Sequence, residues 1–515
     1  MSTTENVERE LKFEAGKEAA IPSFDSVEGV DAVDAASVAE LHATYFDTSD
    51  LALARHKITL RHRTGGGDEG WHLKLPSTAG ARAEVHAPLS AVSEGPPSAL
   101  TDRVRIHVRD KPLIAVAEVL NRRTTYSLRS SNGAALVEVV DDRVTASSLR
   151  PGHKHVSTWR EWEAEIVSGD ESDLARVRDR LLQAGALDSP SPSKLARALG
   201  PDAVTPTSEA EPEPASFAKN SIGALLVETV ARHRDAFFEH DALVRLDKED
   251  AVHQMRVAAR RIRSLLRGYR PQFARQLTDP IERELKWCAG VLGGARDAEV
   301  MALRLDALIA AQPTGTISKT TRKHLLAHQR DAYATAYSEV MDMLTSPRYF
   351  RLLDSLDTIL AADHFSKKAK RDGSDAICST LVRMHKKTRK TEGKARAATN
   401  TYERDTNLHS VRKECKRIRY AAEIANKTHI DAKSGRKIKR VRKAAEDVQE
   451  VLGEHQDGVI TRNLLDNIAV DVAEQGGDAS DYQRLAGYEQ AMADVAESDY
   501  RTHWKALRRA IRALP

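Results

Sequence analysis

The chain has 515 residues, 41% hydrophobic, 30% charged and only 5% aromatic, a length that calls for about two to four domains with real cores and a heavily charged surface. The scarcity of aromatics argues against an aromatic-rich β-sandwich and against a stacking platform for single-stranded nucleic acid, and no run of about 18 apolar residues marks a membrane span. The formal net charge of +4 conceals an asymmetry, because residues 1–215 hold 25 basic and 34 acidic side chains while residues 216–515 hold 54 and 41.

The N-terminus, MSTTENVERELKFEAG, lacks the basic start and apolar core of a signal peptide, so a cytoplasmic protein is expected. Cys288, Cys378 and Cys415 lie far apart without a CxxC, which suits reduced, buried thiols and gives neither a zinc site nor a disulfide framework.

The first 200 residues read as short alternating runs broken by Gly and Pro. Alternate residues of a strand share a face. In Val7–Phe13 that sets Glu8, Glu10 and Lys12 against Val7, Leu11 and Phe13. In Lys57–Arg63 it sets Lys57, Arg61 and Arg63 against Ile58 and Leu60. In Trp71–Leu75, His72 and Lys74 oppose Trp71, Leu73 and Leu75, and in Trp159–Ile166, Glu161, Glu163 and Glu165 oppose Trp162, Ala164 and Ile166. A wet outer face is the ordinary explanation of such strands. Here the polar faces carry carboxylates or cations with little Ser, Thr or Gln, and three glutamates on one strand face repel one another. A divalent cation relieves that repulsion, and facing Arg and Lys suit a multiply charged phosphate.

At this point the chain resembles the CYTH domains, the triphosphate tunnel metalloenzymes. The ExExK signature stands as Glu8-Arg9-Glu10-Leu11-Lys12. It is followed in family order by Tyr45-Phe46-Asp47-Thr48, Leu60-Arg61-His62-Arg63, Trp71-His72-Leu73-Lys74-Leu75-Pro76, Arg82-Ala83-Glu84, Arg123, Glu138 with Asp142, Glu161-Trp162-Glu163-Ala164-Glu165 and Ser193-Lys194. The resemblance implies an antiparallel β-barrel tunnel with a polar interior that binds triphosphate and metal. It implies Glu8, Glu10 and Lys12 as catalytic residues, and Glu8, Glu10, Glu138, Asp142, Glu161, Glu163 and Glu165 as ligands of Mg²⁺ or Mn²⁺. It implies Lys12, Arg61, Arg63, Lys74, Arg82, Arg123 and Lys194 as holding the phosphates. Arg122 and Arg123 cannot both face inward on a regular strand, nor can Asp141 and Asp142. The spacing to Tyr126 selects Arg123, and parity with Glu138 selects Asp142.

Residues 201–216 (PDAVTPTSEAEPEPAS) read as an acidic, Pro-rich linker. Beyond it the periodicity is helical, and residues 217–515 read as one all-α domain of two pseudo-repeats, about 217–345 and 346–515. The segment 312–325 reads as a loop. His253, Arg256, Arg260 and Arg263 recur with the same spacing as His409, Arg412, Lys416 and Arg419, on one helical face each time. Leu292-Gly293-Gly294-Ala295-Arg296-Asp297 is echoed by Leu452-Gly453-Glu454-His455-Gln456-Asp457. Four like charges stacked on one face destabilise a helix, so a stripe that occurs twice points to a bound polyanion. Residues 365–443 hold 25 basic and 8 acidic side chains, a field that attracts polyanions.

This half is similar to the CHAD domain over roughly 217–510, which implies paired helical bundles with a basic cavity that binds inorganic polyphosphate, often at intracellular granules. Taken together, the expectation is an α+β multidomain chain: a CYTH-like domain over 1–200, the linker over 201–216 and a CHAD-like domain over 217–515. Its expected function is metal-dependent hydrolysis of inorganic triphosphate or short-chain polyphosphate, with polyphosphate bound by the basic helices. The alternatives are a non-catalytic granule-associated binding protein and a CYTH enzyme of an organic triphosphate, thiamine triphosphatase or adenylate cyclase. The absence of a recognised DNA- or RNA-reading motif disfavours nucleic acid.

Overall fold

A computed structural model describes residues 3–76, 82–191, 193–200, 203, 213–427 and 432–515. It divides into two compact units, Met1–Glu209 and Ala210–Pro515. The predicted linker falls mostly outside the described residues.

Unit one is one antiparallel sheet with short helices. Its strands are β1 (Thr4–Glu8), β2 (Glu10–Glu14), β3 (Ala32–Val33), β4 (Ser37–Asp47), β5 (Thr59–Thr64), β6 (Gly70–Pro76), β7 (Arg82–Ala87), β8 (Ile114–Arg129), β9 (Ala135–Ser148), β10 (Val156–Ile166) and β11 (Leu187–Asp188). Its helices are α1 (Ala52–Arg55), α2 (Ser98–Val108), α3 (Glu171–Gln183) and α4 (Lys194–Leu199). The strand order is β1-β7-β6-β5-β4-β8-β9-β10-β2-β11, with β3 alongside β8. Among the described residues the ladder does not close into a ring of strand pairs, so the expected antiparallel sheet is a barrel only in a loose sense. Its two flanks are instead joined covalently, since β1 and β2 follow one another with Arg9 between them.

The pairing explains that break. Glu8 sits opposite Arg82 of β7, whereas Glu10 sits opposite Glu165 of β10. The expected single strand Val7–Phe13 is therefore two strands, and Val7, expected to share the face of Leu11 and Phe13, is 68% exposed. Lys57 departs as well: it precedes β5 with φ +60 and takes no part in that strand's alternation.

Each face of the sheet has its own cover. Outside, α3 rests on β9, β10 and β2 through Leu174, Val177 and Leu181 against Phe13, Val137, Val139 and Trp162. Its start is fixed by Asp170, which accepts from the Ser172 and Asp173 amides in a capping box. α2 covers β5–β7 through Leu100, Val104 and Val108. Inside, α4 inserts Leu195, Ala198 and Leu199 among Ala43, Tyr45, Val119, Val144 and Trp159. Apolar side chains thus fill one part of the interior, and Lys194, the first residue of α4, stands where the polar part begins. Asp47 of the Tyr45–Thr48 motif serves the fold: its buried carboxylate accepts from the Thr48, Leu53 and Ala54 amides at 2.7, 2.8 and 2.9 Å and anchors α1. Gly65, at φ +83, closes the β5–β6 hairpin so near Glu40 that a Cβ would lie 2.0 Å from its carbonyl oxygen.

Unit two is helical: α5 (Ile222–Arg245), α6 (Ala251–Gly268), α7 (Arg275–Ala310), α8 (Lys319–Thr345), α9 (Pro347–Asp357), α10 (Gly373–Ala397), α11 (Thr401–Glu423), α12 (Ala432–Glu474) and α13 (Ser480–Arg512). Successive helices within α5–α8 and within α10–α13 pack on one another, and the two series meet where α6 packs on α11 and α5 on α10. The two basic stripes lie on α6 and α11, and the two Leu-Gly motifs on α7 and α12. The predicted loop 312–325 is shorter than expected, because Ser318 caps α8 by accepting from the Thr321 amide. The three cysteines are buried. No helix among the described residues is long and apolar enough to cross a membrane.

Candidate functional sites: a charged cavity and a basic cleft

Strand alternation turns one set of side chains from β1, β2, β4–β8, β10 and α4 into a cavity of about 100 Å³. Glu8, Glu10, Lys12, Arg61, Arg63, Lys74, Arg123, Glu163, Glu165 and Lys194 all line it. On β10, Glu161, Glu163 and Glu165 lie opposite Asp142, Val140 and Glu138 of β9, which places Asp142 and Glu138 on the same face. Arg82 begins β7, and its side chain lies outside the described part. Sequence reasoning quoted Glu84 within a motif but gave it no role. Glu84 accepts from His72 Nδ1 at 2.9 Å and lies 3.7 Å from Arg61 and 3.9 Å from Lys74. The signal was its parity with Arg82.

Between the neighbours Arg122 and Arg123 the structure separates inside from outside. Arg123 donates to both oxygens of Asp142 at 2.8 and 2.7 Å and to Glu163 at 2.8 Å, and Asp142 is fully buried. Arg122 meets Glu40 on the outer surface. Asp141 likewise turns away and pairs with Arg160. Lys12 donates to Glu163 at 2.6 Å, and Lys74 pairs with Glu8.

Lys194 reaches Glu161, Asp142 and Glu163 at 2.5, 2.9 and 2.9 Å. Those three carboxylates have oxygens within 4.8 Å of one another, a spacing that suits a metal ion. Their charge is nevertheless already met by Lys194, Arg123 and Lys12. Burial alone would push Glu163 up, but those three cations outweigh it and hold the group well below the usual carboxylate range.

The other end of the cavity is under-compensated. Burial, then the neighbouring Glu84, push Glu8 up to about 8 against the pull of Lys74. Burial and the facing Glu10, Glu163 and Glu138 also raise Glu165. Carboxylates exceed cations here, a surplus of negative charge that a hard divalent cation would relieve, although among the described residues the acidic group spaced to share an ion is Asp142, Glu161 and Glu163. The cations crowd one another too: burial, then Arg61 and Arg123, lower Arg63 to about 9.

In unit two, α6, α7 and α11 border a cleft of about 550 Å³ lined by Arg256, Arg260, Arg263, His409, Arg412 and Lys416. Arg267, Lys286, Lys413 and Arg417, absent from the predicted set, join them. His253 and Arg419 do not line it. His253 stands near the start of α6, and Arg419 pairs with Glu423 and Glu446 at 3.4 and 3.3 Å. Few carboxylates answer the cleft's charge. Burial, then Arg260 and Arg412, depress Lys416 to about 7, and burial with Lys413 and Arg412 lowers His409 to about 4.

The duplicated glycines have a geometric reason. A Cβ at Gly293 would lie 3.3 Å from the Arg256 guanidinium, and one at Gly453 3.4 Å from that of Arg412. Arg256 also meets Asp297 at 2.9 Å. Each Leu-Gly motif is therefore a seat for the arginine of the helix before it. Gly293→Val is expected to displace Arg256 and weaken the cleft's affinity for a polyanion roughly three- to tenfold with helix content by circular dichroism unchanged. Unaltered affinity would remove the seating role.

A sheet with carboxylates and cations interleaved on its inner face, joined in one chain to a helical unit with a basic cleft, defines a two-module protein organised around multiply charged anions. The chain belongs to the CYTH–CHAD proteins. The CYTH domain model matches residues 6–199 and the CHAD domain model residues 228–466. An uncharacterized protein of Mycobacterium tuberculosis strain H37Rv, Rv2226, is 33% identical across 98% of this chain and 97% of its own length. Among solved structures, PptA from Streptomyces chartreusis is 16% identical, covering 55% of this chain and 99% of its own, with a TM-score of 0.43. The CHAD domain of Ricinus communis is 22% identical over 58% and 95%, with a TM-score of 0.41. CYTH domains are metal-dependent, and members of the family are triphosphatases or cyclases.

Proposed function

We propose that unit one hydrolyses a phosphoanhydride of inorganic triphosphate or short-chain polyphosphate, with Mg²⁺ or Mn²⁺ bound, and that unit two binds polyphosphate. The observation that carries this reading is the interior of unit one, where convergent Arg and Lys side chains face a cluster of carboxylates that outnumbers them at the Glu8–Glu165 end.

Arg61, Arg63, Arg123, Lys12 and Lys74 would bind phosphate oxygens and offset the charge that builds as the anhydride breaks. Arg and Lys divide that work, since the guanidinium fork takes two oxygens at once and the ammonium acts as a point charge. Glu8, Glu10, Glu163 and Glu165 would hold the cation, with Glu138, Asp142 and Glu161 behind them. Bound there, the cation would neutralise phosphate charge and activate or position the attacking water. Glu8, which burial raises, would serve as a ligand in its carboxylate form. Lys194, which neighbours Glu161, Asp142 and Glu163, would add a further cation for phosphate. The narrow, desolvated cavity strengthens each of these interactions. A tethered polyphosphate-binding unit raises the local concentration of substrate without adding a catalytic contact.

The test is phosphate release from tripolyphosphate, ATP and thiamine triphosphate, with Mg²⁺, with Mn²⁺ and with chelator. Tripolyphosphate should be turned over only with metal, and Glu8→Ala/Glu10→Ala should lose at least about 10³-fold in kcat/KM. Preference for an organic triphosphate would replace the substrate assignment. No turnover of any of the three, with polyphosphate still bound by unit two, would leave a binding protein.

A further inference from the structure

Unit one has a second, larger chamber of about 880 Å³ that the reading above does not use. It lies beside the charged cavity, and Thr59 and Ser193 line both. Its chemistry is different. Ile58, Leu195 and Ala196 give it apolar walls, while Arg55, Lys57, His155 and Arg197 contribute basic groups and Glu14 is the one carboxylate among the described lining residues. The charged cavity, by contrast, has carboxylates on four strands, β1, β2, β7 and β10.

Two details show that the polar groups are placed. The Arg197 guanidinium lies over the Trp159 ring, 4.8 Å from its centroid, and meets Glu14 at 2.9 Å, so it is fixed from two sides. Ser157 Oγ is buried with no hydrogen-bond partner among the described residues, although buried hydroxyls nearly always have one. A held guanidinium and an unanswered hydroxyl on the same wall suit an oxyanion. The apolar walls suit a hydrocarbon body and would gain nothing from a bare inorganic phosphate.

We propose that this chamber binds a small organic anion, a carboxylate or sulfonate carried on an apolar or aromatic body, with the anionic group at Arg197 and Ser157 and the body against Ile58, Leu195 and Ala196. The site stands whether or not the charged cavity hydrolyses triphosphate. Its wall is α4, whose first residue is Lys194 and whose cap, Ser193, accepts from the Ala196 amide. A ligand in the chamber therefore bears on the helix that carries a cation of the charged cavity.

The probe is anilinonaphthalene sulfonate, titrated by fluorescence into the full chain with polyphosphate present in excess to occupy the basic cleft. A saturable transition is expected, its dissociation constant raised about tenfold by Arg197→Gln, which removes the charge-assisted partner, and also raised by Ala196→Trp, which fills the chamber. Arg197 is partly exposed, so its replacement tests the site without emptying a core. The absence of a saturable transition, or an unchanged dissociation constant in Arg197→Gln, overturns the proposal. Weakening in both variants, with the unfolding midpoint of Arg197→Gln at the wild-type value, supports it.

Discussion

Arg123→Ala is expected to lower the stability of unit one by about 3–5 kcal/mol, and Arg122→Ala, one residue away, by no more than about 0.5 kcal/mol. The difference is one of partners. Removing Arg123 strands Asp142 and Glu163, buried carboxylates that its guanidinium answers with three hydrogen bonds. Removing Arg122 exposes Glu40 to water that already surrounds it. Denaturant midpoints of the two variants, read from the tryptophan fluorescence of unit one, decide the matter. Equal midpoints would mean that Lys194 and Lys12 alone compensate the carboxylates. A divalent cation should recover part of the Arg123→Ala loss, because it supplies the missing charge in the same place.

Arg260→Ala/Arg412→Ala/Lys416→Ala is expected to weaken polyphosphate binding on the order of 10²-fold near physiological salt and to reduce the slope of log affinity against log salt by about two to three, as when phosphate contacts are lost from nucleic-acid complexes. All three side chains line the cleft. Arg419→Ala alone should do much less, since Arg419 is paired outside it. A pH titration separates Lys416 from the arginines. Burial and its guanidinium neighbours depress its ammonium to about 7, so the free protein sheds that charge as pH rises through 7. Affinity should be flat below 7 and fall above it, by up to about tenfold per unit until the lysine in the complex also titrates. Over the same window the unliganded protein should gain stability, because the unfolded chain holds a proton that the fold has lost. Lys416→Arg should flatten the affinity profile. An unchanged profile in that variant would assign the titration to another group.

Strand parity made much of the charged cavity legible in advance. Period-two alternation assigned Glu161, Glu163 and Glu165 to one face and chose Asp142 over Asp141, while the spacing to Tyr126 chose Arg123 over Arg122. The departures occur where a local pattern meets a distant partner. Nothing between Val7 and Phe13 announces that Glu8 pairs with β7 and Glu10 with β10, strands far apart along the chain. Lys194 lines the cavity with the other cations, but its contacts with Glu161, Asp142 and Glu163 depend on where α4 enters the interior, which no local pattern announces. Arg419 fell outside the basic cleft although its counterpart Arg263 lines it, because Glu423 and Glu446 of α12 hold its guanidinium at 3.4 and 3.3 Å, partners that the repeat spacing does not announce. Glu84 was quoted without a role because its partners, His72, Lys74 and Arg61, lie on two other strands.

The jointed N-terminal segment also orders events during synthesis. Residues 4–14 leave the ribosome before their partner strands, so β1 cannot be placed until β7 exists, and β2 must wait for β10. Two of the cavity's glutamates therefore stay in an unpaired, strand-forming stretch for most of the translation of unit one, and the cavity gains its last cation only when α4 follows. Long-range pairings of this kind make folding slow and leave early segments exposed to wrong partners. The charges that Glu5, Glu8, Arg9, Glu10 and Lys12 carry in that segment keep it soluble during the wait.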